Sequence, residues 1–179
     1  MSLTIQDLNK LQSEHPDLQM ELVDGEIIVM SPSGYESEEV ATRFSTFMNN
    51  WVMPRKLGRV NGSSAGFELP NSDVRAPDVS FVFAERLRHA PRSFAELTPD
   101  LMVEVKSPKD SLKKLKEKIQ NFLNMGTKVG ILLDPEKRTV EIYRKDQPVV
   151  TLKDGDILTV PDLLLGWEVE VSELWSPVL

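Results

Sequence analysis

Apolar positions recur along the chain with two spacings, one typical of helices and one typical of strands. Helical spacing predicts a short helix opening at Thr4, where Asp7 can complete a capping box. It also predicts a longer helix whose apolar, partly aromatic face covers residues 40–51. We expect Ser33 to cap this longer helix and Pro54 to end it. Its aromatic face is typical of core packing rather than of cofactor binding.

Runs of apolar residues predict the strands of a central sheet. The turn dipeptide Asp24-Gly25 separates two such runs and predicts a hairpin. Further strands are expected at residues 59–63, 66–69, 79–84 and 101–105, in the run KVGILLD, and in a hairpin of TVEIYR with PVVTL. An amphipathic helix, capped by Asp110 or Ser111 and ended near Gly126, precedes KVGILLD. This strand-helix-strand order predicts parallel pairing within a mixed α/β (α+β) sheet, and residues 1–179 are expected to form one domain.

Composition removes several classes of chemistry. The 179 residues include no cysteine and two histidines, which excludes disulfides, thiolate nucleophiles and a histidine-rich metal centre. Chemistry by carboxylates and lysines remains, and the oxygen-seeking cation Mg²⁺ is its natural companion. The longest apolar runs are too short to cross a bilayer, and the first residues have no signal-peptide pattern. We therefore expect a cytoplasmic protein without a membrane segment.

Three side chains form the candidate reactive group. In a strand over residues 101–105, Glu104 and the following Lys106 project to one side, whereas Val103 and Val105 face the other. Among the 28 acidic residues, only Glu104 has a lysine two positions later. Asp78 opens another predicted strand, and pairing of the two strands would bring both carboxylates together. In the plainer alternative, Asp78 caps a strand entry and the Glu104–Lys106 pair is exposed and contributes little.

Two close carboxylates repel each other, so one is protonated unless a cation lies between them. Mg²⁺ binds one or two carboxylates together with water and phosphate oxygens, which indicates a phosphodiester substrate. Lys106 would then orient or deprotonate the attacking water.

Positive charge is concentrated near this group although the net charge is −7. Six lysines lie between Lys106 and Lys118, and four basic residues lie in a loop over residues 85–99. These cations are either a phosphate-binding surface or only a solvated helix face and loop.

Several segments in order resemble the PD-(D/E)XK nuclease superfamily, and within it a bacterial family of restriction-endonuclease-like proteins. They are ELVDGE, MSPSG, GFELP, RAPDVSFV, TPDLMVEVKSP and LLDP. The resemblance implies a restriction-endonuclease-like fold with Asp78 and Glu104 as metal ligands and Lys106 as the catalytic lysine. It also implies a metal contact from the carbonyl of Val105, and Glu26 is a candidate extra ligand.

Two positions differ from this family, and one further ligand is conceivable. Tyr35-Glu36-Ser37 stand where relatives often have a histidine, and Phe122 stands where they often have a tyrosine. Glu39, on the predicted aromatic helix, is a second candidate for an extra metal ligand.

The leading hypothesis is therefore a Mg²⁺-dependent DNA endonuclease, with Mn²⁺ as a possible substitute and a homodimer as a possible assembly. One alternative is a nuclease-fold module of weak or no catalytic activity that binds nucleic acid or protein. The other is a plain interaction protein that binds no metal.

Overall fold

The computed structural model describes residues 2–179, which form three α-helices, twelve β-strands and a 3₁₀ turn. The helices are α1 (Ile5–Glu14), α2 (Tyr35–Arg55) and α3 (Leu112–Asn124), and the 3₁₀ turn is Val171–Leu174. The strands are β1 (Met20–Val23), β2 (Glu26–Val29), β3 (Gly58–Asn61), β4 (Phe67–Glu68), β5 (Val74–Arg75), β6 (Val79–Phe83), β7 (Leu101–Val105), β8 (Val129–Asp134), β9 (Thr139–Tyr143), β10 (Val150–Lys153), β11 (Ile157–Thr159) and β12 (Glu168–Glu170).

A six-stranded mixed sheet forms the centre, in the order β10-β9-β8-β7-β6-β3. Strands β7 and β8 are parallel and α3 connects them, as the strand-helix-strand pattern predicted. The other neighbouring pairs are antiparallel, including the predicted β9–β10 hairpin. The mixed α+β class expected from the sequence is confirmed.

Helices cover both faces of this sheet, and β7 shows how its residues divide between them. Leu101, Val103 and Val105 belong to the core cluster beneath α2, which also contains the buried C-terminal tryptophans. Met102 packs in a second cluster with the apolar face of α3. Glu104 shares the side of Met102 because alternate strand residues project to the same face. The Glu104 side chain is thus directed toward α3.

A second, four-stranded sheet has the order β2-β1-β5-β4 and packs beneath α1. Its β1–β2 hairpin turns through Asp24 and Gly25, both at positive φ, as a two-residue turn requires. Thr4 and Asp7 form the predicted capping box of α1. Strand β5 continues through Ala76 into β6, so the two sheets meet next to Asp78.

The boundaries of α2 differ from the sequence-based prediction. Gly34, not Ser33, is the N-cap, and no side chain caps the helix. The hydroxyl of Ser37 donates to the Gly34 carbonyl, which ties the first turn to its cap from inside the helix. Pro54 lies inside the last turn, and the helix ends at Lys56 in the left-handed conformation. Within residues 2–179, no helix has both the length and the apolar character needed to span a membrane.

Candidate active site

Pairing of β6 with β7 places Asp78 beside Glu104. Val79 lies opposite Val103 in this antiparallel pair, so Asp78 and Glu104 occupy the next register position. The carboxylate of Asp78 accepts a hydrogen bond through Oδ2 from the backbone N–H of Val105 at 2.7 Å. Two of the three predicted side chains therefore meet at the end of β7.

Glu104 is buried, with 3% of its surface exposed, and faces Lys118 of α3, which is also buried. The Lys118 Nζ atom lies 2.9 Å from Oε1 of Glu104. Oε1 nevertheless has no hydrogen-bond partner of good alignment within the described chain, so the contact is chiefly an ion pair. A buried carboxylate oxygen thus retains unused capacity to accept or to coordinate.

Lys118 connects the central sheet to the four-stranded sheet. Its ammonium donates to the carbonyl of Ala76 at 2.9 Å and lies 3.6 Å from Oε1 of Glu21. The same Glu21 oxygen accepts from the Ala76 N–H at 2.8 Å, and Oε2 lies 3.4 Å from Nε of Arg75. The site is therefore a buried cluster of two glutamates and two cations next to Asp78.

Burial controls the ionisation of this cluster. It raises the pKa of Glu104 to about 8, since the attraction of Lys118 only partly offsets the loss of water and the Asp78 carboxylate adds repulsion. Burial also raises the pKa of Asp78, against the Val105 hydrogen bond and the charge of Lys118. Burial works to lower the pKa of Lys118, but Glu104 and Glu21 outweigh it and the net shift is upward. The Lys118 ammonium is therefore a lasting positive charge in the site.

Lys106 lies on the same side of the chain as Glu104, beyond the end of β7, and only 15% of its side chain is exposed. Its ammonium donates to the carbonyl of Ser107 at 3.3 Å and is 3.9 Å from Oε2 of Glu136. No hydrogen bond or ion pair joins it to Asp78 or Glu104 within residues 2–179. The Lys106 ammonium is thus held by its own turn and by Glu136.

The two glutamates predicted as extra ligands lie apart from this cluster. Glu26 is exposed beside the hairpin turn, opposite Val23. Glu39 accepts a hydrogen bond from the hydroxyl of Ser176. Neither contacts Asp78 or Glu104 in the described part of the chain, whereas Glu21 of β1 enters the cluster through Lys118.

Sequence reasoning missed Glu21 and Lys118. The charge pattern groups Lys118 with the solvent-facing lysines, but its spacing from Leu115 and Phe122 places it on the apolar side of α3. That spacing was the available signal. Glu21 gave none, because a glutamate between Met20 and Leu22 is the ordinary polar position of an alternating strand.

The oxygen donors at the end of β7 fit a small hard cation. They are the carboxylates of Asp78 and Glu104 and the backbone carbonyl of Val105, the residue whose N–H donates to Asp78. Residues 2–179 contain no group of three acidic, histidine or cysteine side chains arranged as a complete metal site. Mg²⁺ does not need one, because it commonly takes one or two carboxylates and completes its shell with water.

The lysines of the basic stretch divide into paired and free side chains. Lys116 pairs with Glu141 at 2.9 Å, and Lys113 lies 3.8 Å from Glu117. Among residues 2–179, the exposed Lys109 and Lys114 make no ion pair. These two ammonium groups remain available to an anionic ligand.

The loop over residues 85–99 divides similarly. Arg86 pairs with the buried Asp100 at 2.9 Å and anchors the loop, whereas Arg88, His89 and Arg92 are exposed.

Comparison with known proteins gives the family and supports the fold. The Uma2 family, described as "Putative restriction endonuclease", matches residues 5–172. A crystal structure described as a putative nuclease of DUF820 from Anabaena variabilis is similar, with a TM-score of 0.82 and 23% identity over 96% of this chain and 97% of that one. A DrdV–DNA complex is only distantly similar, with a TM-score of 0.37 and 13% identity over 76% of this chain and 14% of that one. No curated protein sequence matches the chain significantly.

Proposed function

Because the chain belongs to the Uma2 family of restriction-endonuclease-like proteins, we propose that it is a Mg²⁺-dependent DNA endonuclease that hydrolyses phosphodiester bonds. One observation carries the proposal. The β6–β7 register pairs the Asp78 and Glu104 carboxylates at a strand end. Such a pair of carboxylates, one half-buried and one buried, is suited to holding a divalent cation against a phosphate.

Asp78, Glu104 and the carbonyl of Val105 would hold the metal, and Mn²⁺ could replace Mg²⁺. When bound, the metal would place positive charge against the phosphate and lower the pKa of a water molecule bound to it, which favours attack by hydroxide. The Val105 N–H holds Asp78 in place through Oδ2, which leaves Oδ1 for the metal. The site is therefore preorganised by strand pairing rather than by the ligand.

The two lysines have different tasks in this proposal. Lys106 directly follows the last residue of β7. Its ammonium would orient the attacking water and balance charge that develops on the phosphate. Lys118 lies behind Glu104 and holds its Oε1 at 2.9 Å. Lys118 is thus a positioning residue, because its own surroundings are the two glutamates and a backbone carbonyl.

The exposed Lys109 and Lys114 would contact DNA phosphates next to the carboxylates. A homodimer would present two such sites, one for each strand of a duplex. The cysteine-free composition is compatible with action in the cytoplasm.

A second function is favoured by the Glu104–Lys118 contact. The Lys118 ammonium at 2.9 Å compensates the charge of Glu104 when that carboxyl group is ionised, so the cluster can be electrically satisfied without a metal. In this alternative the chain is a nuclease-fold module of weak or no activity that binds nucleic acid or protein.

A cleavage assay distinguishes these functions. Purified protein is incubated with single-stranded, duplex and branched DNA in Mg²⁺, Mn²⁺ or chelator, alongside Asp78→Ala and Lys106→Ala. We expect metal-dependent cleavage that falls about a hundredfold or more in both variants. Asp17→Ala and Lys145→Ala are matched controls, since Asp17 also follows a proline and both residues are exposed. Salt-sensitive DNA binding without cleavage would establish the binding module, and absence of both would contradict any nucleic-acid function.

A further inference from the structure

Tyr35 is a large aromatic side chain that the fold leaves almost fully in solvent. It is 90% exposed and is the first residue of α2, directly after the Gly34 N-cap. The Tyr35 side chain makes no hydrogen bond within the described chain. The other tyrosine, Tyr143, is buried and donates its hydroxyl to Glu141. Packing therefore explains Tyr143 but gives no reason for an aromatic ring at residue 35.

The start of α2 lies against the turn that follows Lys106. A Cβ placed on Gly34 would be 3.8 Å from Cβ of Ser107 and 4.0 Å from Cδ of Pro108. Glu38, one helical turn after Tyr35, is near enough to Asp78 to help raise the pKa of that carboxyl group. Tyr35 thus begins the helix whose first turn lies against the turn after Lys106 and close to Asp78.

Cations lie around this end of α2. Lys109 is exposed on the same turn as Ser107, and Lys106 lies just before it. The first turn of α2 and the turn after Lys106 therefore combine an aromatic ring with neighbouring positive charges, which is the combination that single-stranded nucleic acids bind.

Building on the proposed nuclease function, we propose that Tyr35 is a stacking platform for an unpaired base beside the cleaved phosphate. The substrate class is accordingly single-stranded or locally unpaired nucleic acid. The reason is physical: in an intact duplex the faces of a base are covered by its neighbours, so an external ring can stack only on a base that has left the stack. Lys109 would contact a flanking phosphate, while the ring holds the base without reading its sequence.

The test combines a change in the protein with a change in the base. Binding of a fluorescent single-stranded thymidine oligomer is measured in chelator, and cleavage kinetics of the same oligomer are measured in Mg²⁺. Wild type, Tyr35→Ala and Tyr35→Phe are compared on the intact oligomer and on one with baseless sugars. We expect Tyr35→Ala to weaken binding and raise KM about tenfold on the intact oligomer, with kcat unchanged and no further loss on the baseless one. Tyr35→Phe keeps the ring and should remain close to wild type.

Leu165→Ala is the matched control, because Leu165 is also an apolar side chain that is 82% exposed. Its neighbour Gly166 lies against the ring of Trp51, at the other end of α2 and roughly 24 Å from Tyr35. Equal affinity of Tyr35→Ala and wild type for the intact oligomer would overturn the inference, as would an equal loss on the baseless oligomer or a preference of wild type for intact duplex. In each case metal-dependent cleavage by wild type would still support the nuclease proposal. Failure of wild type to bind or cleave any nucleic acid would overturn both.

Discussion

Burial favours the protonated form of Glu104 over a range of pH in which an exposed glutamate is ionised. Its pKa is raised from 4.5 to about 8, first by burial and further by Asp78, against the attraction of Lys118. Between these two values the folded chain binds more protons at this residue than the unfolded chain does. The contribution of Glu104 to folding stability is therefore full at low pH and is lost as the pH rises toward 8. A metal ligand must be deprotonated, so metal binding and protonation compete at this carboxylate.

We predict that the affinity for Mn²⁺ or Mg²⁺ depends on this proton. Below the Glu104 pKa of about 8, affinity should rise about tenfold per pH unit, and above it the affinity should be nearly constant. Calorimetric titration in two buffers of different ionisation enthalpy measures both the affinity and the proton released per metal. Affinity that does not change with pH in this range would show that Glu104 is not a ligand. Glu26→Gln provides a comparison, because Glu26 is exposed beside the hairpin turn and its loss should leave the pH dependence of metal affinity unaltered.

At the scale of elements, the sequence was most informative where a pattern repeats. The apolar runs of β6 and β7 and the helix between β7 and β8 were long enough to predict, and they placed Asp78 with Glu104. Strands β4 and β5 have two residues each, too few for any alternation to show, and β5 was not predicted. The partners of Lys118 were also beyond prediction, because Glu21 and Ala76 lie on a different sheet and only the tertiary fold brings them to α3.

The edge strand β3 depends on a glycine at its first residue. A Cβ placed on Gly58 would lie 2.1 Å from the carbonyl oxygen of Val82 and 2.7 Å from the ring of Phe81. Both atoms belong to β6, the strand that directly follows Asp78. A larger residue at position 58 must therefore push β3 away from the sheet.

We predict that Gly58→Ala lowers the free energy of unfolding by about 2 kcal/mol through this overpacking. Gly62→Ala is the control, since nothing lies within 4 Å of a Cβ at that position, and its effect should stay within about 0.5 kcal/mol. Urea unfolding followed by tryptophan fluorescence measures both variants. A Gly58→Ala protein as stable as wild type would mean that β3 and β6 separate at little cost.

At the scale of the whole molecule, an acidic protein must bind an anionic substrate through a small local surface. The net charge is −7, and Lys113, Lys116 and Lys118 each have an acidic neighbour. Lys109 and Lys114 are the exposed lysines of the basic stretch without an ion pair in residues 2–179. The net negative charge of the protein repels an anionic substrate at low salt. Loss of the contacts made by Lys109 and Lys114 should weaken binding more than this repulsion does, because each contact releases counterions from the nucleic acid.

We predict that Lys109→Gln with Lys114→Gln weakens nucleic-acid binding on all sequences alike and lowers the slope of log affinity against log salt by about 2. Fluorescence anisotropy over a salt series provides the measurement. Lys10→Gln with Lys145→Gln changes the net charge equally at exposed positions outside the basic stretch and should leave the slope unaltered. An equal slope in both double variants would place the phosphate contacts elsewhere, with the exposed arginines of the loop over residues 85–99 as the next candidates.

The β1–β2 hairpin supports the carboxylate site through Glu21, although Glu21 is not itself proposed as a catalytic group. Glu21 joins the Ala76 amide to the Lys118 ammonium, so the orientation of that ammonium toward Glu104 depends on β1 staying docked. A shortened protein starting at α2 would leave a lysine and a glutamate facing each other without their third charge. A minimal catalytic fragment should therefore retain the β1–β2 hairpin. A tag fused to the N-terminus should be joined by a flexible linker, so that β1 stays docked.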